Sequence, residues 1–347
     1  MQKLNKEFNF INEEVCYQNK SANITLSGTL TIPENTKPIA TVIFIAGFGP
    51  NGRDYELLGH KRFLVMSEYL AKLGIATLRY DKRGVGKSTG DYSLATSRDF
   101  ADDVIVGIKF LKNRKDISSN KIGLIGHSEG GMIASMVAAE NKDVDFVVNM
   151  AGVVQTDVDG LVTQTAKQLK VDGASQDFLE QDKILRTQIF TIVKQEKDIE
   201  SAKIKLQNLM SDYWNNLPEN LKKEANKLPF AITKDKIENM ANMFNSPWYR
   251  YFLNYNSVDA LKKIKQPILS IYGNKDWIVS AQPSLDIISQ MLKSSGNNNF
   301  INIELPNLNH SFQACKTGSM AEYPVIKETI SPVVLKNIFD WILNLHK

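Results

Sequence analysis

The chain has 347 residues, of which 43% are hydrophobic and 23% charged, which suits a globular protein of about two domains. That excludes a disordered chain, a collagen-like repeat and a small disulfide scaffold. The longest apolar run, around Ile39 to Phe48, is about half of the roughly twenty residues that a membrane-spanning helix needs.

A net charge of +4 gives no basic footprint for nucleic acid. Cys16 and Cys315 stand far apart, without metal-ligand spacing, and whether they pair stays open. Met1–Lys20 carries lysines but no apolar stretch of a signal peptide, which leans toward the cytoplasm unless a leader has been trimmed. The oligomeric state is not legible.

In chain order, Glu7–Tyr17 and Ile24–Ile32 read as strands, the second interrupted by Gly28, with Pro33-Glu34-Asn35 closing the pair as a turn. Ala40–Ile45 is short and wholly apolar, the pattern of a strand covered on both faces. Helical spacing follows over Arg62–Leu73 and stops at Gly74. A strand at Ala76–Tyr80, a helix near Phe100–Lys112, a strand at Lys121–Ile125, a helix from Glu129 and a strand at Phe146–Met150 complete the first part. Such alternation predicts a mostly parallel sheet with helices on both faces.

From Thr156 to Ser257 only helical periodicity is found, with acidic and basic residues interspersed in equal numbers, as on solvated helix faces. Strands return at Pro267–Tyr272 and Ile301–Leu305, and a last helix at Val333–Leu345. The expected division is therefore a core over 1–155, a helical cap inserted at 156–257, and the rest of the core over 258–347.

Gly126-His127-Ser128-Glu129-Gly130 places Gly-x-Ser-x-Gly between a predicted strand and a predicted helix. That chemistry needs a very sharp turn exposing the serine hydroxyl, and glycines where strand and helix approach too closely for side chains. Without its context the pattern is weak, because a glycine-rich turn can carry an incidental serine. A serine hydroxyl also needs a base, and the base an orienting acid. Of four histidines, His127 adjoins the serine and should point elsewhere, His346 is read as part of a solvated tail, and His60 as second to the site or on the surface. His310, in a loop after a late strand, remains as the base. Asp276 follows the strand Ile268–Tyr272 and precedes His310 by 34 residues, the chain order of this hydrolase chemistry. Asp286, on a helix, and Glu304, within a strand, are weaker candidates.

An acyl-transfer site also needs donors for a developing oxyanion. The Glu129 amide, at the start of the elbow helix, is one candidate. The Phe48 amide, flanked by Gly47 and Gly49 in the loop after the first buried strand, is the other. Asp81-Lys-Arg-Gly-Val-Gly-Lys-Ser88 ends like a phosphate loop, but the earlier glycine such a loop requires would fall at position 81, which is Asp. Neither ATP nor NAD is indicated, and no cofactor or metal is called for.

With Gly126-His-Ser-Glu-Gly-Gly131, Asp81-Lys-Arg-Gly-Val-Gly-Lys-Ser88, Gly273-Asn-Lys-Asp276 and Asn309-His310, the chain resembles the α/β-hydrolase superfamily, over about residues 24–155 and 258–345. Within it the chain is similar to the EstD-type carboxylesterases, relatives of the prolyl-oligopeptidase-like and dienelactone hydrolases. The resemblance implies an α/β-hydrolase fold, a triad of Ser128, Asp276 and His310, and oxyanion amides at Phe48 and Glu129. Ala46 departs from the pattern, since many such hydrolases carry His before the oxyanion-loop glycine. Ser246–Phe252 at the end of the cap also looks like a family feature. Trp248, Tyr249 and Phe252 in it are candidates to line the substrate pocket, or to anchor the cap. The expected activity is hydrolysis of a small carboxylic ester of short acyl chain. A thioesterase, acyltransferase or peptidase of the same fold, or a ligand-binding protein with little turnover, are the alternatives.

Overall fold

Residues 8–346 are described by a computed structural model. Five short strands at the centre of the sheet carry the architecture, covered on both faces. Strands β3 (Thr41–Ile45), β4 (Ala76–Tyr80), β5 (Ile122–His127), β6 (Phe146–Met150) and β7 (Ile268–Gly273) are buried along their whole length. Strand β8 (Phe300–Leu305) closes one edge, half exposed. At the other edge β1 (Phe10–Asn19) pairs antiparallel with β2 (Ile24–Pro33), and only its inner face is covered toward the end of the strand. The expected strand from Glu7 begins at Phe10, and Glu7 itself lies outside the described residues.

The sheet has eight strands in the order β1-β2-β4-β3-β5-β6-β7-β8. It is parallel from β4 through β8, with β2 antiparallel to both its neighbours. Gly28 does not interrupt β2, whose pairing with β1 runs unbroken. A Cβ there would stand 2.6 Å from the Arg79 carbonyl, so the glycine permits close approach to β4.

Helices α1 (Arg62–Lys72) and α12 (Pro332–Leu345) pack together on one face of the sheet. On the other, α2 (Ser97–Lys112) packs against α3 (Glu129–Glu140), with α11 (Ala281–Ser294) beyond it against β8. Helix α2 starts three residues before the expected Phe100 because Thr96 and Asp99 form a reciprocal capping box. Helix α3 is apolar nearly all round and is correspondingly buried.

Between β6 and β7 the described residues form helices and turns without a strand: α4 (Val158–Val171), α5 (Gln176–Gln195), α6 (Ile199–Asn216), α7 (Glu219–Ala225), α8 (Ile237–Phe244), α9 (Pro247–Asn254) and α10 (Ser257–Leu261). Their apolar stripes build separate clusters, one around Leu185, Phe190, Met210 and Phe244, another around Phe178, Leu221 and Ala225. Where this segment leaves and rejoins the sheet, Thr156 Oγ1 donates to the Tyr255 carbonyl and Ser257 Oγ to the Val154 carbonyl.

Because β3 lies between β4 and β5, the chain turns to opposite sides of it in succession. The carboxyl end of such a strand is where open α/β sheets present a crevice. The loop after β3 and the turn after β5 both lie there.

Candidate active site

Strand β5 passes into α3 through Ser128 alone, at φ 58° and ψ −122°. A residue with a side chain avoids that region, and here close packing holds it. A Cβ on Gly126 would come 2.0 Å from the Gly130 carbonyl oxygen, and one on Gly130 2.0 Å from that of Ile45. The Ser128 amide donates to the Met150 carbonyl at 3.0 Å, while its own carbonyl accepts from the amides of Gly131 and Val153.

Asp276 and His310 meet although 34 residues separate them, because their loops follow the neighbouring strands β7 and β8. His310 Nδ1 and Asp276 Oδ2 are 2.7 Å apart, with both residues buried. Asp276 Oδ1 accepts from the amides of Ile278 (3.0 Å) and Val279 (2.8 Å), which fixes the carboxylate plane. A carboxylate accepting at Nδ1 places the imidazole proton there and leaves Nε2 as the basic nitrogen.

His127 was expected to point elsewhere. Its ring instead lies tilted at 47° against that of His310, centroids 4.7 Å apart, and its Nε2 donates to the His310 carbonyl at 2.7 Å. A carbonyl only accepts, so Nδ1 is free of hydrogen and accepts from the Tyr55 hydroxyl at 2.9 Å. Burial, then the nearby His310 and Arg62, hold His127 well below the ordinary imidazole range. His346 corrects the reading of a solvated tail. Its side chain is 6% exposed, packs edge-on against Phe146 and lies 3.5 Å from Asp145, because α12 runs on to Leu345 and carries it inward. His60 is half-buried outside this cluster and bonds Thr329 and the Ile326 carbonyl.

In the loop after β3, Asn51 Nδ2 donates to the carbonyls of Gly47, Phe48 and Gly49, and the Gly49 amide donates to the Tyr92 hydroxyl. Among the described residues the amides of Phe48 and Glu129 donate to no protein acceptor. The Glu129 carboxylate is almost wholly buried. It accepts from Lys82 Nζ (3.3 Å), Ser97 Oγ (2.7 Å) and, from α9, Trp248 Nε1 (2.6 Å). Trp248 also stacks on Phe252 and lies 4.3 Å, ring to ring, from the half-exposed Phe48. Tyr249 turns toward Phe190 and Phe244 in the helical segment's own cluster. A cleft of about 120 Å³ adjoins the Asp276 loop, lined by Leu161, Gln168 and Phe230 opposite Trp277 and Ile278.

The loop that resembled a phosphate site is filled by its own ion pairs. Asp81 binds Arg53 and the Lys87 amide, and a Cβ on Gly86 would meet the Asp81 carboxylate at 2.6 Å. Arg83 binds Asp103 and Asp99. Missed in the sequence were Lys82, Tyr55 and the contact of His127 with His310. Lys82 lay within a motif weighed only for phosphate, and a lysine seldom announces burial. Among the described residues no cluster of His, Cys, Asp and Glu could hold a metal, and no helix is long and apolar enough to cross a membrane.

Residues 36–223, more than half of the chain, match the family described as serine aminopeptidase, S33. Esterase EstD of Thermotoga maritima is 33% identical over 126 residues, 36% of this chain and 30% of that protein. Bovine mitochondrial palmitoyl-protein thioesterase ABHD10 is 33% identical over 141 residues, 38% of this chain and 40% of that protein. The match thus spans less than half the length of either relative. The esterase Pf2001 of Pyrococcus furiosus shares the fold, with a TM-score of 0.54 at 16% identity over 98% of this chain and 92% of that one. The strand order, the turn at Ser128 and the match over 36–223 converge: the chain belongs to the serine aminopeptidase S33 family of α/β hydrolases.

Proposed function

We propose that the protein hydrolyses small carboxylic esters through an acyl-enzyme on Ser128, with His310 as base and Asp276 as its orienting acid. The observation that carries this reading is the buried 2.7 Å contact between His310 Nδ1 and Asp276 Oδ2, at the same end of the sheet as the strained Ser128. Ser128 Oγ attacks the ester carbonyl and its proton passes to His310 Nε2. The carbonyl π pair becomes an oxyanion held by the amides of Phe48 and Glu129. Collapse expels the alcohol, which takes the proton from His310. Water, deprotonated by the same nitrogen, then releases the acid. Asp276 stays ionised and holds the imidazolium.

The helical segment over 156–257 acts in this reading as a cap. Trp248 reaches the oxyanion loop at Phe48 and lines the approach, with Phe252 stacked against it, while Tyr249 anchors the cap. The similarity to a palmitoyl-protein thioesterase and the family's description as aminopeptidases supply a second reading, cleavage of a thioester or an N-terminal peptide bond.

Hydrolysis of p-nitrophenyl acetate, butyrate and octanoate by wild type and Ser128→Ala tests the proposal. Serine-dependent turnover that falls with chain length is expected. Full activity in Ser128→Ala would overturn it. Turnover confined to a palmitoyl thioester or an amino-acid p-nitroanilide would transfer the assignment to the second reading.

A further inference from the structure

The Gly47–Phe48 peptide unit is trans, so its C=O and N–H point in opposite directions. The carbonyl side is held by two donors: Lys82 Nζ at 2.6 Å and Asn51 Nδ2 at 3.0 Å. The N–H side is the Phe48 amide, which donates to no protein acceptor among the described residues. Lys82 is 2% exposed. Its ammonium lies 4.3 Å from the Phe100 ring centroid and 3.3 Å from the Glu129 carboxylate.

Mere filling of this space would be met more cheaply by an apolar side chain, because a buried ion pair tends to be weaker than well-packed hydrophobic residues of its volume. A charged donor supplies something that an apolar residue does not. A hydrogen bond accepted by a peptide C=O draws charge from the N–H of the same unit and strengthens it as a donor, the more so where the local dielectric is low.

We propose that Lys82 is a positioning residue for the oxyanion site: its ammonium fixes and polarises the Gly47–Phe48 peptide, so that the Phe48 N–H is aimed and strengthened for the alkoxide formed on Ser128. The ion pair does this for both donors at once. Lys82 sits behind the Phe48 peptide, and its partner Glu129 is the residue whose own amide is the second donor. The separation of the two N–H groups is thereby set by one buried contact. This inference rests on the proposed acyl-enzyme reading and goes beyond it in assigning the lysine.

The test compares Lys82→Met/Glu129→Gln with Glu129→Gln, so that no buried carboxylate loses its partner in one protein only. Two quantities are read: kcat and KM on p-nitrophenyl butyrate, and inhibition by an alkyl trifluoromethyl ketone. The ketone accepts the serine oxygen at its carbonyl carbon, keeps the electron pair as a hemiketal oxyanion and leaves the serine proton on His310. Loss of Lys82 should lower kcat about 10- to 100-fold and weaken the ketone by a similar factor, with KM nearly unchanged. A purely structural role would leave ketone affinity per folded molecule unaltered, and equal kcat and ketone affinity in the two proteins would overturn the inference.

If the lysine variant does not fold, Asn51→Ala removes the other donor to the same carbonyl and is judged by the same readouts. A joint fall in kcat and ketone affinity supports the proposal, and no fall in either overturns it. Ser128→Ala separates the two levels. Full turnover there refutes the acyl-enzyme itself, whereas a dead Ser128→Ala beside an unaffected Lys82 variant refutes only the role of the lysine.

Discussion

At the scale of single residues, the site depends on which atoms carry hydrogen. Asp276 fixes the His310 tautomer by accepting at Nδ1, so Asp276→Asn, which can present an N–H there, should cut kcat about 10³- to 10⁴-fold with little change in KM. Steady-state kinetics that stay within tenfold of wild type would remove Asp276 from the mechanism. His127 gives a separate prediction through pH. Its folded pKa lies well below the unfolded value near 6.5, so the unfolded chain binds its proton first as the solution is acidified. The His127 contribution is therefore intact above pH 6.5. It is lost by about 1.4 kcal/mol per pH unit as pH falls from there toward the folded pKa. Thermal melts from pH 7.5 to 5 should fall more steeply for wild type than for His127→Gln, and parallel curves would contradict the neutral buried imidazole.

Elements show what local sequence can and cannot specify. The spans of β4 and β6 were legible from their short β-prone sequences between helical stretches, although each buries a polar residue, Arg79 in β4 and Asn149 in β6. The start of α2 was not, since the helix begins in Thr96-Ser-Arg-Asp99, whose helicity comes from a side-chain cap and not from an apolar stripe. Thr96→Ala should lower stability by about 1 kcal/mol in a denaturant titration, with activity kept. The turn at Ser128 is less forgiving. Gly130→Ala would drive a Cβ to within 2.0 Å of the Ile45 carbonyl, between two backbones that cannot both yield. A loss of about 3 kcal/mol or more, together with loss of activity, is expected by melt and assay, and a stable, active Gly130→Ala would mean that strand and helix are not so closely apposed.

Chain order and residue type were enough to single out Asp276 and His310, which the structure brings into contact, and Ser128, which it places in the strained turn between strand and helix. The site was opaque where a role depends on contacts across the sheet. Lys82 meets Gly47 and Glu129 from distant positions in the chain, and His346 turns inward onto Phe146 and Asp145, two hundred residues before it.

For the whole molecule, the question is how the helical segment is coupled to the sheet. Trp248 reaches from α9 to the Glu129 carboxylate, a hydrogen bond to a charged group worth about 1.5–3 kcal/mol. Trp248→Phe keeps the ring contact with Phe48 and removes the donor, so the melting temperature should fall and limited proteolysis should cut within 156–257 sooner than in wild type. Unchanged cleavage would show that the segment is held by its apolar contacts alone. Its two ends have a different consequence. They leave and rejoin the sheet side by side, between adjacent strands, and are laced together by Thr156 with Tyr255 and by Ser257 with Val154. A stretch of about a hundred residues fastened at one closed gate works as a cartridge. It can be rewritten, lengthened or exchanged without shifting the pairing of β6 with β7, so the helical segment is free to diverge while the sheet beneath it stays fixed.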